Sequence, residues 1–181
     1  MKLLATDLAD LYIVEPEVYD DDRGFFMESW SSRAFAEHGL DMTFVQDNHS
    51  RSAAGVLRGI HYQVRNPQGK LVRVTAGRAF DVAVDLRRSS PTFGKWFGTE
   101  LSGDNKRMLW VPPGFGHAFL SLADHTDFLY KCSRFYAPDD ERCIVWNDPD
   151  LGIDWPDIVP LPTVSARDRN GALLRDAELF P

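Results

Sequence analysis

The sequence has little of what would assign it to a membrane, a nucleic acid or a disulfide scaffold. No apolar run approaches the roughly 18 residues that a membrane-spanning helix needs. Basic residues are outnumbered, 20 against 27 acidic, and the net charge of −7 disfavours a general binder of nucleic acid or membrane surfaces. Two cysteines, Cys132 and Cys143, make neither a disulfide framework nor a zinc site on their own, and we expect both to be reduced.

Length and composition are those of a globular protein. The chain has 181 residues, which favours a single domain over 1–181 and suffices to bury about 70% of the unfolded surface. Hydrophobic residues make up 44% and charged residues 26%, so a disordered chain is excluded. The first segment carries Lys2, Asp7 and Asp10, unlike a secretory leader, and we therefore expect a cytoplasmic protein.

Short apolar or alternating runs, separated by glycine, proline and aspartate, predict an all-β fold. The predicted strands are 11–18, 43–50, 59–63, 70–76, 78–85, 96–101, 107–111, 118–121 and 128–135. Short helices are expected at 32–38, ended by Gly39, and at 168–175. Many strands with few helices are typical of a sandwich or jelly-roll barrel. The proline-rich stretch after Ala137 predicts an irregular C-terminal arm that wraps the barrel.

Two segments have the spacing of the metal-binding motifs of cupin barrels. The first matches at Gly55, His61, Gln63, Lys70 and Gly77. The second matches at Pro112, Gly114, His117 and Ser121. Gln63 and Lys70 stand where a cupin has its second histidine and its carboxylate. Because a lysine ammonium repels a divalent cation, the spacing predicts a cupin-like jelly-roll barrel that keeps its pocket and has lost its metal.

Such a pocket offers histidine, lysine, arginine and tyrosine side chains without an electrophilic metal. Histidine is the natural base near neutral pH, and a lysine or arginine stabilises an oxyanion. A tyrosine can deliver a proton from a second direction. This set of groups favours proton abstraction next to a carbonyl.

Seven sequence blocks, in order from about Tyr19 to Asp168, resemble the dTDP-4-dehydrorhamnose 3,5-epimerase family. They are DRGFF at 22–26, QDNHS at 46–50, LRGIHYQ at 57–63, QGKLV at 68–72, PPGFGHAF at 112–119, WNDP at 146–149 and SARD at 165–168. The resemblance implies a cupin-type enzyme without metal or cofactor. Its implied reaction converts dTDP-4-dehydro-6-deoxy-D-glucose to dTDP-4-dehydro-L-rhamnose by epimerisation at C3 and C5.

The resemblance also implies roles for particular residues. His61 is the expected base and Asp168 its partner, while Tyr130 is the expected acid on the opposite face. Lys70 is expected to face the 4-oxyanion. The implied substrate-binding positions are Arg23, Glu28, Gln46, Asp47, Asn48, Arg58, His117, Tyr136, Glu141 and Arg167. The last of these is commonly lysine in the family, so the charge is kept and the donor geometry changes.

A homodimer is implied as well, with a strand or arm near the N-terminus crossing between subunits, and Phe25 and Phe26 are candidates for contact with the nucleobase. Three rival functions stay open. A relative that epimerises only C3 or only C5 would keep the fold. A metal-dependent cupin is disfavoured by Gln63 and Lys70. A non-catalytic cupin that binds a sugar nucleotide would not need the base, its partner and the acid together.

Overall fold

Two antiparallel sheets form the barrel in the computed structural model, which describes residues 1–156 and 161–181. The larger sheet has the strand order β1 (Lys2–Ala5), β2 (Tyr12–Glu15), β10 (Met108–Val111), β7 (Lys70–Ala76), β12 (Thr126–Cys132) and β5 (Gln46–Ser52). The smaller sheet has the order β13 (Glu141–Cys143), β6 (Leu57–Gln63), β11 (Phe115–Ser121), β8 (Arg78–Asp85) and β9 (Trp96–Ser102). A separate hairpin pairs β3 (Val18–Asp21) with β4 (Gly24–Met27). The predicted all-β jelly-roll architecture is confirmed.

The main core lies between the two sheets. Strand β8 is buried along most of its length, as its run of alanine and valine residues predicts. Phe119 of β11 and Phe128 of β12 stack with ring centroids 4.0 Å apart, and because their strands belong to different sheets the stack joins the two layers. This stack also forms part of the wall of the cavity described below.

The strand predictions are confirmed most closely at 70–76 and 78–85, which match β7 and β8. Gly77 joins them at a φ of +72°, a left-handed conformation that favours glycine. The predicted strand 11–18 is wrong as one element, because Pro16 cannot donate a backbone hydrogen bond and lies between β2 and β3. The predicted strand 128–135 runs instead from Thr126 to Cys132. Strands β1, β4 and β13, of three or four residues each, were not predicted.

One of the two predicted helices is confirmed. Helix α1 (Ser32–Glu37) begins after Ser31, whose hydroxyl accepts a hydrogen bond from the Ala34 N–H. The predicted helix 168–175 is wrong in its bounds. The chain forms α2 (Ala166–Arg169) and then a separate 3₁₀ turn at Leu174–Asp176. Between them a Cβ on Gly171 would come within 2.7 Å of the Val145 nitrogen, because the chain here pairs with the segment after β13 instead of continuing a helix.

The segment after Ala137 is irregular apart from its short elements, and it packs on the smaller sheet. Residues 157–160, which belong to the predicted arm, lie outside the described residues. Leu174 and Phe180 are buried in the same cluster as Ile60 of β6. This packing fixes α2 against β6, where the site is formed. In the part of the chain that the structure describes, no helix has the length and apolar character needed to span a membrane.

Candidate active site

A cavity opens between the two sheets, beside the stacked phenylalanines. One part has a volume of about 460 Å³ and the adjoining part about 310 Å³. Four side chains line both parts: His61, Lys70, Tyr130 and Arg167. The first part is also lined by Arg58, His117 and Asp168, and the adjoining part by Gln46, Asn48, Tyr136 and Glu141. The fold thus brings eleven of the fourteen predicted site residues to one cavity.

His61 and Asp168 form a hydrogen-bonded pair in the cavity wall. The two residues are 107 positions apart in sequence, one on strand β6 and the other on helix α2. The distance from His61 Nε2 to Asp168 Oδ1 is 2.7 Å. The Gly59 N–H approaches the other carboxylate oxygen at 3.4 Å. Burial raises the pKa of Asp168, but the His61 side chain and the Gly59 N–H outweigh it and hold that pKa below its usual value. An ionised carboxylate on Nε2 fixes the ring tautomer and leaves Nδ1 to accept a proton.

Tyr130 and Lys70 line the cavity from the other sheet, on the neighbouring strands β12 and β7. Burial raises the pKa of Tyr130 to about 12, so the phenol keeps its proton at neutral pH. Burial lowers the pKa of Lys70, and the nearby Glu141 and Asp81 carboxylates oppose this effect. The cavity therefore has an imidazole on one sheet and a phenol and an amine on the other.

A second histidine–aspartate pair lies in the same wall. His117 Nε2 is 2.9 Å from Asp81 Oδ2 and 3.2 Å from Oδ1. His117 lies opposite His61 in the β11–β6 register and lines the cavity. Asp81 is fully buried on β8 and was not predicted as a site residue. Its signal in the sequence is a lone carboxylate inside an apolar strand, which requires a partner when it is buried.

The sequence of this chain matches a known family over nearly its whole length. A family model described as dTDP-4-dehydrorhamnose 3,5-epimerase matches residues 5–176. The dTDP-4-dehydrorhamnose 3,5-epimerase of Pseudomonas aeruginosa is 57% identical to this chain, and the match covers 100% of both sequences. The chain belongs to the dTDP-4-dehydrorhamnose 3,5-epimerase family.

Solved structures similar to this family member include enzymes of two kinds. One is the dTDP-6-deoxy-D-glucose-3,5-epimerase of Legionella pneumophila in complex with dTDP-4-keto-L-rhamnose. It has a TM-score of 0.96 and 48% sequence identity, and the match covers 99% of this chain and 97% of the Legionella chain. A 3′-monoepimerase of Streptomyces bikiniensis, in complex with dTDP-quinovose, has a TM-score of 0.89 and 37% identity, covering 94% and 86%. The predicted cupin-like fold and the prediction of an enzyme of this epimerase family are confirmed.

The adjoining part of the cavity holds a hydrogen-bonded group in this epimerase-family chain. Arg167 Nη1 is 2.6 Å from Glu141 Oε2, and the Tyr136 hydroxyl donates to the same oxygen at 2.5 Å. The Tyr136 N–H donates to Gln46 Oε1 at 2.9 Å. The Tyr136 hydroxyl and the Glu141 carboxylate together raise the pKa of Arg167. Arg167 is thus balanced by an acidic neighbour.

Alternate side chains of β5 form a polar row on the inner side of the sheet. Gln46 Nε2 donates to Asn48 Oδ1 at 3.0 Å, and Arg58 Nε donates to Ser52 Oγ at 3.3 Å. Ser50 lies between these engaged groups and lines the cavity. Its hydroxyl oxygen is buried and has no hydrogen-bond partner among the described residues. Ser50 lies within a block that carried the family resemblance, but no role was predicted for it.

Three predicted substrate-binding residues do not line this cavity. The alternation of β5 places Asp47 on the outer face, where it pairs with Lys131 at 3.0 Å. Arg23 lies in the turn of the β3–β4 hairpin, pairs with Asp21 at 2.5 Å and is 90% exposed. Glu28 follows β4 and lines neither part of the cavity. The substrate contacts predicted for these three residues are therefore not formed within the cavity of a single chain.

The two residues at altered cupin positions do not fit a cupin metal. Gln63 Nε2 donates to the carbonyls of Asn66 and Phe135 at 2.8 and 3.3 Å, and its Oε1 accepts from the Ala137 N–H at 2.9 Å. The amide is therefore used to hold two loops. Lys70 brings a positive charge to the position of the carboxylate ligand.

Proposed function

We propose that this protein epimerises C3 and C5 of dTDP-4-dehydro-6-deoxy-D-glucose to give dTDP-4-dehydro-L-rhamnose. The observation that carries the proposal is the His61–Asp168 pair, which shares one cavity with Lys70 and Tyr130 of the opposite sheet. A 4-keto group acidifies both neighbouring C–H bonds, so one site can serve both carbons. The activity and bound sugar nucleotide named for the Legionella relative support the proposal.

His61 is the base in this proposal. A proton next to a ketone has a pKa of about 19 against roughly 6.5 for histidine, and the difference corresponds to about 17 kcal/mol. The base cannot supply that energy alone, so fixed charges and hydrogen bonds must stabilise the enolate. Asp168 stabilises the imidazolium that forms, because its carboxylate stays bonded to the other ring nitrogen.

Lys70 stabilises the oxygen at C4 as it becomes negative. Burial leaves the Lys70 ammonium poorly solvated and thereby lowers its pKa. A developing oxyanion compensates for that lost solvation, and the attraction is stronger in a cavity than in water. The interaction therefore strengthens as the proton leaves carbon, which lowers the barrier.

Tyr130 returns a proton to the opposite face of the carbon. It and His61 belong to different sheets, so a sugar ring held between the sheets has the base on one side and the phenol on the other. With a pKa of about 12, the phenol is protonated at neutral pH and is still a far stronger acid than the ketone C–H. Each inversion then replaces a carbon-bound proton by one that comes from solvent.

The remaining cavity residues bind the sugar nucleotide in this proposal. Arg58 and Arg167 are suited to the diphosphate because the guanidinium group is planar and bidentate. The other binding groups are Gln46, Asn48, His117, Tyr136 and Glu141. The proposal includes no resident metal or cofactor, as the residues at the altered cupin positions indicate.

We infer a homodimer in which each chain completes the site of the other. The β3–β4 hairpin forms a two-stranded sheet of its own, and its Phe25 and Phe26 are 56% and 69% exposed. Exchange of this hairpin between chains would bring Arg23 and Glu28 to the partner's cavity and the two aromatic rings to the nucleobase. Light scattering on the purified protein should give the mass of two chains, and a monomer would contradict this part of the proposal.

Residues 1–181 act as one domain in this proposal, because both sheets and the C-terminal segment contribute side chains to the same cavity. We place the enzyme in the cytoplasm with its substrate, since a charged diphosphate does not cross a membrane unaided. The net charge of −7 disfavours nucleic acid and membrane surfaces as partners.

Exchange of carbon-bound protons with solvent tests the proposal directly. Purified wild type and His61→Ala are incubated with dTDP-4-dehydro-6-deoxy-D-glucose in deuterated water, and C3 and C5 are followed by NMR. We expect deuterium at both carbons with the wild type and at neither with the variant. No exchange in wild type, with the ligand still bound, would point instead to a binding protein.

A mono-epimerase is the second candidate, and the similarity to the Streptomyces bikiniensis 3′-monoepimerase favours it over a metal-dependent cupin or a non-catalytic binding protein. The base, acid and lysine would have the same roles at one carbon. Deuterium at C3 alone, or at C5 alone, would assign the protein to that activity and contradict the double epimerisation.

A further inference from the structure

Three side chains with metal-binding atoms meet beside the cavity, and two of them, His61 and Asp168, line it. The Cys143 sulfur, a ring nitrogen of His61 and a carboxylate oxygen of Asp168 all lie within 4.8 Å of one another. Within 1–156 and 161–181, this is the only group of three histidine, cysteine or acidic residues with that geometry. His61 and Asp168 form the pair described above, so Cys143 is the additional member of the group.

The register of β13 on β6 brings the sulfur to this position. Cys143 lies directly opposite His61 in the antiparallel pair. Opposed residues of neighbouring strands point to the same side of the sheet, with Cβ atoms about 4.5–5.5 Å apart. Glu141, two residues before Cys143 and therefore on the same side, lines the cavity. Cys143 forms no disulfide, and its thiol donates a hydrogen bond to the Ile144 carbonyl at 3.4 Å, which a metal would have to replace.

Thiolate, imidazole and carboxylate are the ligands that zinc-class cations bind tetrahedrally, at about 2.0–2.3 Å. Such bonds hold the ligand atoms roughly 3–4 Å apart, so the Cys143 sulfur must approach by about 1 Å. The His61 and Asp168 atoms, now 2.7 Å apart, must separate slightly. Two anionic ligands balance the charge of a divalent cation. Three protein ligands leave the fourth position open to water.

The charges around the cluster permit a cation. Burial and the Asp168 carboxylate raise the pKa of the Cys143 thiol to about 12, so the thiol keeps its proton until a metal displaces it. Arg167 opposes this rise and is itself paired with Glu141 at 2.6 Å. Lys70 lines the same cavity, and the positive charge of its ammonium limits the affinity of the cluster for a metal cation. The cluster should therefore favour ions that gain most from a thiolate, such as Zn²⁺, over harder ions such as Mg²⁺.

This cluster differs from the metal site of cupins. It shares His61 with the first cupin motif but uses neither Gln63 nor Lys70. Cys143 and Asp168 come from the C-terminal segment, outside both motifs. A metal bound here would therefore occupy the base itself and its partner, and leave the rest of the pocket unchanged.

We propose that Cys143, His61 and Asp168 bind a thiophilic divalent cation of the zinc class, and that this binding reversibly inhibits the enzyme. On binding, the thiol releases its proton to solvent and forms a sulfur–metal bond. The proton that His61 carries on Nε2 moves to Nδ1, the freed Nε2 lone pair binds the metal, and Asp168 exchanges its hydrogen bond for a metal–oxygen bond. No group is oxidised or reduced. The inhibition rests on the proposed role of His61 as base, whereas the binding does not.

Cobalt(II) absorption tests the binding without an activity assay. A thiolate on Co²⁺ gives a strong near-ultraviolet charge-transfer band. Cys132→Ala is the matched control, because Cys132 is also free but belongs to no such cluster among the described residues. We expect the band in wild type and Cys132→Ala, and its loss in Cys143→Ala and Cys143→Ser, each checked for folding by circular dichroism. A wild type without the band, or a band that survives the loss of Cys143, would overturn the site.

Zinc titration of the epimerisation tests the inhibition. Wild type should lose activity as Zn²⁺ is added and regain it with EDTA. Cys143→Ala, compared with its own metal-free activity, should need about 10- to 100-fold more zinc for half-inhibition. Equal sensitivity of the two proteins would overturn the proposal. A Cys143-dependent cobalt band with undiminished activity would leave the metal site standing and overturn the assignment of His61 as base.

Discussion

The two histidine–aspartate pairs of the cavity wall have the same chemistry and different surroundings. His61 and His117 face each other in the β6–β11 register, and the closest contacts within the two pairs are 2.7 and 2.9 Å. The His61 side chain is 27% exposed, against 8% for His117. The distance alone therefore does not distinguish the proposed base from the proposed substrate-binding histidine, whereas the exposure of the side chain does.

The partners of these histidines differ in how they are held. Asp81 lies on the strand next to His117, so that pair is part of the sheet and its core. Asp168 comes from α2, where its N–H donates to Ser165 at 3.1 Å. Loss of the His117–Asp81 pair should therefore destabilise the folded protein. Loss of the His61–Asp168 pair should leave the barrel folded.

The largest expected effect comes from replacing the histidines themselves. His61→Asn should lower kcat by about 10³- to 10⁴-fold, because it removes the proposed base. His117→Asn should cost roughly 10-fold, since it removes a hydrogen bond to the substrate and not the base. Steady-state kinetics with the sugar nucleotide measure both. Equal losses of kcat in the two variants would show that the two histidines do not differ in role.

Replacing the aspartates should separate activity from stability. Asp168→Asn should lower kcat by about 10²-fold through loss of the fixed tautomer, and should lower the free energy of unfolding less than Asp81→Asn does. Asp81→Asn should lower the free energy of unfolding by about 1–3 kcal/mol, because it disturbs a hydrogen bond in the core. Urea denaturation followed by tryptophan fluorescence gives the second quantity. A reversal of the two outcomes would exchange the proposed roles.

Acid should affect the His61–Asp168 pair in a defined direction. Folding lowers the pKa of Asp168, so its contribution to stability is complete above its unfolded value of about 3.9 and is lost as the pH falls through the folded value. The wild type should therefore lose stability more steeply below about pH 4 than Asp168→Asn does. Parallel curves from denaturation at a series of pH values would show that this carboxyl does not contribute.

A cavity residue outside both pairs should give the smallest effect. Ser50→Ala removes a buried hydroxyl that has no partner among the described residues. If the substrate supplies that partner, KM should rise about 2- to 10-fold with little change in kcat, the equivalent of one hydrogen bond. Ser52→Ala, next along the same face, is the matched control because its hydroxyl already accepts from Arg58. An unchanged KM in Ser50→Ala would remove this residue from the binding site.

The parts of the barrel that depend on short sequence patterns were predicted correctly from the sequence. The β7–β8 hairpin follows from alternating runs around Gly77, and the cupin spacing placed His61, Lys70 and His117 in one pocket. Asp168 lies 107 residues from its partner. No local pattern links residues so far apart, so only the family resemblance indicated this pairing.

Other parts of the site had weak signals or none. Asp81 was visible as a carboxylate in an apolar strand, but its partner depends on the β8–β11 register. Cys143 reaches His61 because a three-residue strand joins the sheet edge, and so short an element has no periodicity to detect. Arg23 lies in, and Glu28 directly after, a hairpin that pairs with no other strand of the described chain, so no strand register within one chain places them at the cavity.

The order of the elements along the chain also has a consequence for synthesis. The strand with Tyr130 is complete at Cys132, well before the ribosome adds the segment that carries Asp168. A nascent chain can therefore assemble most of its barrel while the proposed base, His61, still lacks its carboxylate partner. Catalytic competence would then appear as a late step of maturation, when α2 docks on a barrel that has already formed.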